Sequence, residues 1–227
     1  MNDEQPINEQ ESLRLITEMI QKAKASHFHE NGTSAIMWGS IVGICGFVGF
    51  AEHYWDFSIG FDIWLLTLLA LVPQIIINIK EKKNRVIKTD MQIAMDAVWM
   101  VYGISIFAVV AYINIVPDTS QNFFLKYGIT LFQKDANGVT SPFHVFALSQ
   151  LSLLMIVFAF PTLVTGLARS FKPMIYGAFA CYIFFMISLF TTTTYDLLLS
   201  GLAGIGNWLI PGLILHNRYK KEKPINV

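Results

Sequence analysis

Charge is what this sequence lacks most. Asp, Glu, Lys and Arg make up 14% of its 227 residues, against about 25% in a soluble domain. The two signs cancel, sixteen basic against sixteen acidic. No basic excess exists to meet phosphate, which argues against nucleic acid as a partner. Cysteine is scarce as well. Cys45 and Cys181 are the only two, each inside an apolar run, so burial is expected rather than a disulfide or a metal clip.

Catalytic signatures are also missing. Gly-x-Ser-x-Gly, His-Glu-x-x-His and a Walker loop are all absent, and the chain reads as non-enzymatic with no cofactor. Gly201-Leu202-Ala203-Gly204-Ile205-Gly206 shares glycines with nucleotide loops but lies within an apolar run, which excludes that use. No two histidines fall at mid-depth of different runs, so a bis-His haem site is not expected. The N-terminus is acidic (Asp3, Glu4, Glu9, Glu11) and the first apolar run starts near Ser34, so no cleavable signal peptide is expected.

Apolar residues fill the gap. They make up 54% of the chain, with mean hydropathy +0.50. Six stretches are long enough to cross a hydrocarbon core, which takes roughly 20 helical residues. They are Ser34–Tyr54, Ile59–Ile79, Gln92–Val116, Phe143–Leu167, Pro173–Thr192 and Tyr195–His216. Apart from Lys126 and Lys134, every Lys and Arg falls before the first stretch, after the sixth, or in alternate connections between them. Basic residues near spans are retained on the cytoplasmic side. The sequence therefore predicts an all-α, six-span transmembrane helical bundle in the inner (plasma) membrane, with both termini cytoplasmic. Residues 1–33 form a cytoplasmic N-terminal segment, 34–216 the membrane domain with an outer loop at 117–142, and 217–227 a basic tail.

Ahead of the first span, Asn8 to Glu30 reads as an amphipathic helix. Leu13, Ile16, Ile20 and Ala23 recur at helical spacing, widened by Leu15 and Met19. Asn8 and Glu11 resemble a capping box, Lys22 and Lys24 suit the far end of the dipole, and Asn31-Gly32 supplies a stop. Such a face lies on the inner leaflet or bundle, or docks a cytosolic or membrane partner through Leu13, Ile16 and Ile20.

The spans can be read as three parallel two-helix repeats. Odd spans open with Trp38-Gly39, Tyr102-Gly103 and Tyr176-Gly177, while even spans carry Pro73, Pro161 and Pro211. The interval from Trp38 to Pro73 equals that from Tyr176 to Pro211. Hairpin repeats with broken helices underlie many transporters, yet glycine, proline and interfacial aromatics are also ordinary in membrane spans. The mitochondrial-carrier signature Pro-x-Asp/Glu-x-x-Lys/Arg is absent. Small residues at Ala35, Gly39 and Gly43, continued by Gly46 and Gly49, and at Ser200, Gly201, Gly204 and Gly206 predict close helix packing, internal first and a homodimer seam second.

Few polar residues offer chemistry. Asp96, at the start of the third span, is a candidate ion or proton group or a headgroup-depth partner of Arg85 or Lys88. Gln150 and Asn207 could line the same route, or bond between helices. Glu52, His53 and His144 are metal candidates on the outer face, without a compact ligand motif. Asp135-Ala136-Asn137-Gly138 predicts a turn between Phe132 and Val139, making a small hairpin cap. The opening segment Glu11-Ser12-Leu13-Arg14-Leu15-Ile16-Thr17-Glu18-Met19-Ile20, followed by Trp38-Gly39, resembles small uncharacterised multi-pass proteins of bacterial inner membranes. That resemblance implies a bacterial membrane setting and transfers no catalytic residue. Two functions follow as expectations: a regulatory, sensory or scaffolding partner of another component, or a small-solute or ion transporter with Asp96 as coupling group.

Overall fold

The structure is a computed structural model that describes residues 10, 11, 13, 14 and 17 and the ranges 32–84, 90–145 and 150–222. Residues 10, 11, 13, 14 and 17 are helical and exposed. Ile16, Ile20, Asn8 and the rest of the predicted amphipathic helix lie outside the described residues.

Helix α1 spans Thr33–Tyr54. Gly32 takes a left-handed φ of 69° before it, a conformation glycine adopts without steric cost. Beyond its end, Glu52 Oε1 accepts the N–H of Ile59 at 2.9 Å and Asp62 Oδ1 that of Trp64 at 2.9 Å. Those bonds launch α2, Leu65–Leu69, which passes through Ala70 into α3, Leu71–Asn84. The break lies just ahead of Pro73, which has no N–H for the carbonyl four residues back.

Helix α4, Asp90–Lys126, has 37 residues and is about 55 Å long at 1.5 Å per residue. It runs straight through Pro117, where the sequence had the span ending and an outer loop beginning. Asn114 Nδ2 donates to the Val110 carbonyl and Thr119 Oγ1 to that of Ile115, so polar side chains around the proline bond back to their own helix. Gln92, Met95, Trp99, Tyr102, Ile106, Val109 and Ile113 form its covered stripe, at the alternating three- and four-residue spacing of a helix seam. The hairpin follows as expected. Strands β1, Phe132–Lys134, and β2, Thr140–Pro142, pair antiparallel with Gln133 opposite Ser141. Asp135 Oδ1 accepts from the N–H groups of Asn137 and Val139 across the turn.

Helices α5, Gln150–Ala168, and α6, Lys172–Ser188, form an antiparallel pair. Their turn is tight: Ser170 has φ 51° and Phe171 N–H bonds the Gly166 carbonyl at 2.8 Å. The last helix is α7, Thr193–Gly204, a π-helical turn at Ile205–Leu209, and α8, Ile210–Glu222.

The small residues explain how α1 docks. It lies antiparallel to the last helix, with Gly32 and Ala35 near Gly212, Gly43 near Ile205, Gly46 near Gly201 and Gly49 near Leu197. A methyl group on Gly46 would sit 2.5 Å from Gly201 Cα. The two small-residue runs therefore face each other inside one chain, as the first of the two packing expectations had it. Gly177 of α6 closes on the Gly206 carbonyl in the same way, whereas Gly103 has no atom within 4 Å of its Cβ position. The three aromatic-glycine steps are thus not equivalent, and α1 packs chiefly on the last helix rather than on α2–α3.

Among the described residues, four helical stretches are long and apolar enough to cross a membrane: Thr33–Tyr54, Asp90–Lys126, Gln150–Ala168 and Thr193–Lys221. Large apolar side chains face outward, up to Phe190 at 86% exposure, while Ser152, Thr162, Thr165, Ser188, Asp196, Ser200 and Asn207 are buried. An apolar exterior around a hydrogen-bonded interior suits lipid as the surrounding solvent.

Candidate functional site

Three of the buried polar residues, Thr162, Thr165 and Asn207, gather where two helices are interrupted. On α5, Pro161 withholds an N–H, and two threonines follow it. Thr165 Oγ1 donates to the Pro161 carbonyl at 2.7 Å, and Thr162 Oγ1 is directed at the Phe158 carbonyl, 3.4 Å away. Such back-bonding by Thr is typical where a helix bends. Each hydroxyl then accepts an indole N–H from another helix: Trp208 Nε1 reaches Thr162 at 2.9 Å and Trp99 Nε1 reaches Thr165 at 3.2 Å. The two tryptophans flank Tyr102, in edge contacts with ring centroids at 5.6 and 6.1 Å. Trp208 also packs on Phe158 at 4.9 Å.

The π turn presents two consecutive residues, Asn207 and Trp208, to the interior, both buried. Such turns recur at functional sites. Asn207 Nδ2 donates to the Phe158 carbonyl at 2.8 Å, and its Oδ1 is buried without a hydrogen-bond partner. Gly177 gives the backbone of Gly206–Asn207 room to approach α6. One layer outward, Ser188 Oγ donates to Ser152 Oγ at 2.7 Å, and Cys181 Sγ to the Met155 carbonyl at 3.2 Å. Both cysteines are free and buried, and Cys45 Sγ donates to the Ile63 carbonyl.

The chain matches no family model, no curated protein and no solved structure.

Of the pathway residues expected from sequence, only Asn207 reaches this centre. Gln150 is half-buried at the start of α5, eight residues or about 12 Å of helix from Phe158. Asp96 is exposed and off the covered stripe of α4. The metal candidates are engaged locally: His53 Nδ1 contacts the Gly49 carbonyl at 3.0 Å, Glu52 serves the loop, and His144 is exposed beyond β2. Among the described residues, no three His, Cys, Asp or Glu side chains converge in a way that could hold a metal. Leu13 is 64% exposed.

Asp196 lies in the first turn of α7. It is 2% exposed, and its Oδ1 accepts the Thr191 hydroxyl at 2.7 Å. Thr162, Thr165 and Trp208 were not marked by sequence. A threonine pair three apart, straight after a proline within an apolar run, was the available signal.

A second polar cluster ties the N-terminal end of α1. Trp38 Nε1 donates to Gln74 Oε1 at 2.8 Å, and Gln74 Nε2 reaches Ser34 Oγ and Asn78 Oδ1. These bonds join α1 to α3. They leave Gln74 paired on both ends of its amide.

Proposed function

We propose that the chain is a six-crossing, multi-pass protein of the bacterial inner membrane that acts without catalysis, as a regulatory, sensory or scaffolding partner of another component. The observation that carries this reading is the use of the interior polar groups. Trp208, Trp99, Asn207, Ser188 and Trp38 each bond a residue of another helix. Side chains so engaged hold a bundle together.

Six crossings are supported by chain ends that meet. Gly32 lies near Gly212, Ser34 bonds Gln74, Trp99 bonds Thr165, and Arg218 lies 5.2 Å over the Phe171 ring. These are the ends to which the basic residues belong, and the positive-inside rule makes them cytoplasmic. The partner site is the N-terminal segment with Leu13, Ile16 and Ile20, the partner a cytosolic or membrane protein, with a second copy of the chain as the alternative. The test is a crosslinking pull-down from native membranes, comparing the intact chain with a deletion of residues 8–30. A partner captured only by the intact chain supports the reading; partners indifferent to the deletion refute it.

A second reading, small-solute or ion transport with Asp96 as coupling group, draws on the unpaired Asn207 oxygen beside a proline break and a π turn. Asp96→Asn abolishing proton-coupled uptake in a stably folded protein would favour it.

A further inference from the structure

The turn between α5 and α6 is pinned to the last helix. Phe171, Met174 and Leu215 bury together there, a small core separate from the main one. Arg218 lies three residues beyond Leu215, and so on the same face of α8. Its guanidinium sits 5.2 Å over the Phe171 ring, which brings it to a turn that already carries Arg169 and Lys172. Lys221 follows Arg218 on that face. Residues 166–176 and 210–222 together hold five Lys and Arg against one acid, Glu222. Lys172, Arg218 and Lys221 are exposed.

This basic patch continues into an apolar strip. Tyr176, Phe179 and Ile183 follow Lys172 at the spacing of one helix face, and all three are exposed. From Phe179 onward that face is a groove of about 450 Å³, lined by Phe179, Tyr182, Ile183, Met186, Ile187 and Phe190. The groove runs for about 16 Å of helix, close to the hydrocarbon of one leaflet, about half of a ~30 Å core. Tyr176 stands between the cations and the groove, as tyrosine does at the membrane interface. One face of α6 therefore presents a cation, a phenol and then hydrocarbon. Headgroup, interface and acyl chain follow in the same order in a phospholipid. A soluble phosphate would engage the cations alone and leave the groove unused.

We propose that the Arg169, Lys172 and Arg218 patch and the groove of α6 bind an anionic phospholipid, its phosphate on the cations and an acyl chain along Phe179 to Phe190. Basic groups at the edge of a membrane bundle recognise such headgroups by charge and hydrogen bonding. Only the choice of leaflet, the inner one, rests on the topology proposed above.

The experiment is thermal unfolding of the full-length protein in a neutral detergent at fixed ionic strength. Phosphatidylglycerol, phosphatidylcholine with the same chains, or sodium phosphate is added. Phosphatidylglycerol should raise the midpoint by several degrees, saturably, and the other two should not. Lys172→Gln combined with Arg218→Gln should lose that rise. Lys126→Gln combined with Lys134→Gln, at the end of α4 and in β1, should keep it. If the first pair fails to fold, Lys172→Gln alone must raise the half-saturating lipid concentration several-fold. Equal midpoints with the two lipids, or an equal rise in sodium phosphate, would overturn the proposal. So would a rise that the patch variants retain, or one that the Lys126 and Lys134 pair also loses. None of these results bears on the number of crossings, which cysteine labelling reads separately.

Discussion

Replacing Gly46 by alanine should loosen the joint on which the bundle turns. The added Cβ would lie 2.5 Å from both Gly201 Cα and Gly201 N, and 2.7 Å from the Leu197 carbonyl oxygen. Carbon atoms in good contact stand about 3.5–4.0 Å apart, so the helices must separate locally by about 1 Å. All three clashing atoms are backbone, and no change of rotamer relieves them. Overpacking of this kind costs about 1–3 kcal/mol. At about 2–4 °C per kcal/mol for a chain of this size, the midpoint should fall by about 2–12 °C. The assay is thermal unfolding in detergent, with Gly103→Ala as the control. Gly103 has no atom within 4 Å of its Cβ position, so that variant should match the parent or exceed it slightly, as alanine is the better helix former. A Gly46→Ala protein as stable as the parent, or a Gly103→Ala protein that loses as much, would refute the reasoning.

Trp208→Phe keeps a ring against Phe158 but removes the 2.9 Å bond to Thr162; a loss of about 1 kcal/mol in unfolding free energy is expected, and Thr162→Val should not add to it. Cys45 and Cys181, both 0% exposed, should resist a membrane-permeant maleimide in the folded protein and react after denaturation; ready labelling of either thiol would contradict their burial. Asp96→Asn, on the exposed side of α4, should leave the protein folded with a single cooperative unfolding transition, because the change empties no buried space; loss of that transition would contradict the exposed placement. Making Leu13, Ile16 and Ile20 polar together should abolish partner capture with the membrane domain still folded, as judged by an unchanged midpoint.

The features legible in the sequence were those set by local pattern. Glycines spaced along the first and last runs foretold close packing, because only small residues let backbones meet. Asp135 and Gly138 foretold the hairpin, because the aspartate side chain and the glycine φ of 84° suit that turn. The continuation of α4 through Pro117 was not legible. Proline usually ends a helix, and its cost is offset here by a context that composition does not reveal. Nor was the polar centre. Asn207 and Trp208 reach α5 only because the chain takes a π turn against Gly177, and that geometry depends on residues 29 and more positions away.

The topology proposed above has six crossings with both ends cytoplasmic. The most direct measurement is cysteine accessibility in intact cells, using a membrane-impermeant maleimide on a version with Cys45 and Cys181 replaced by serine. Asn137→Cys, in the β1–β2 turn, should label from outside, and Val227→Cys only after the membrane is opened. Labelling of Val227→Cys in intact cells, or protection of Asn137→Cys until lysis, would contradict the account.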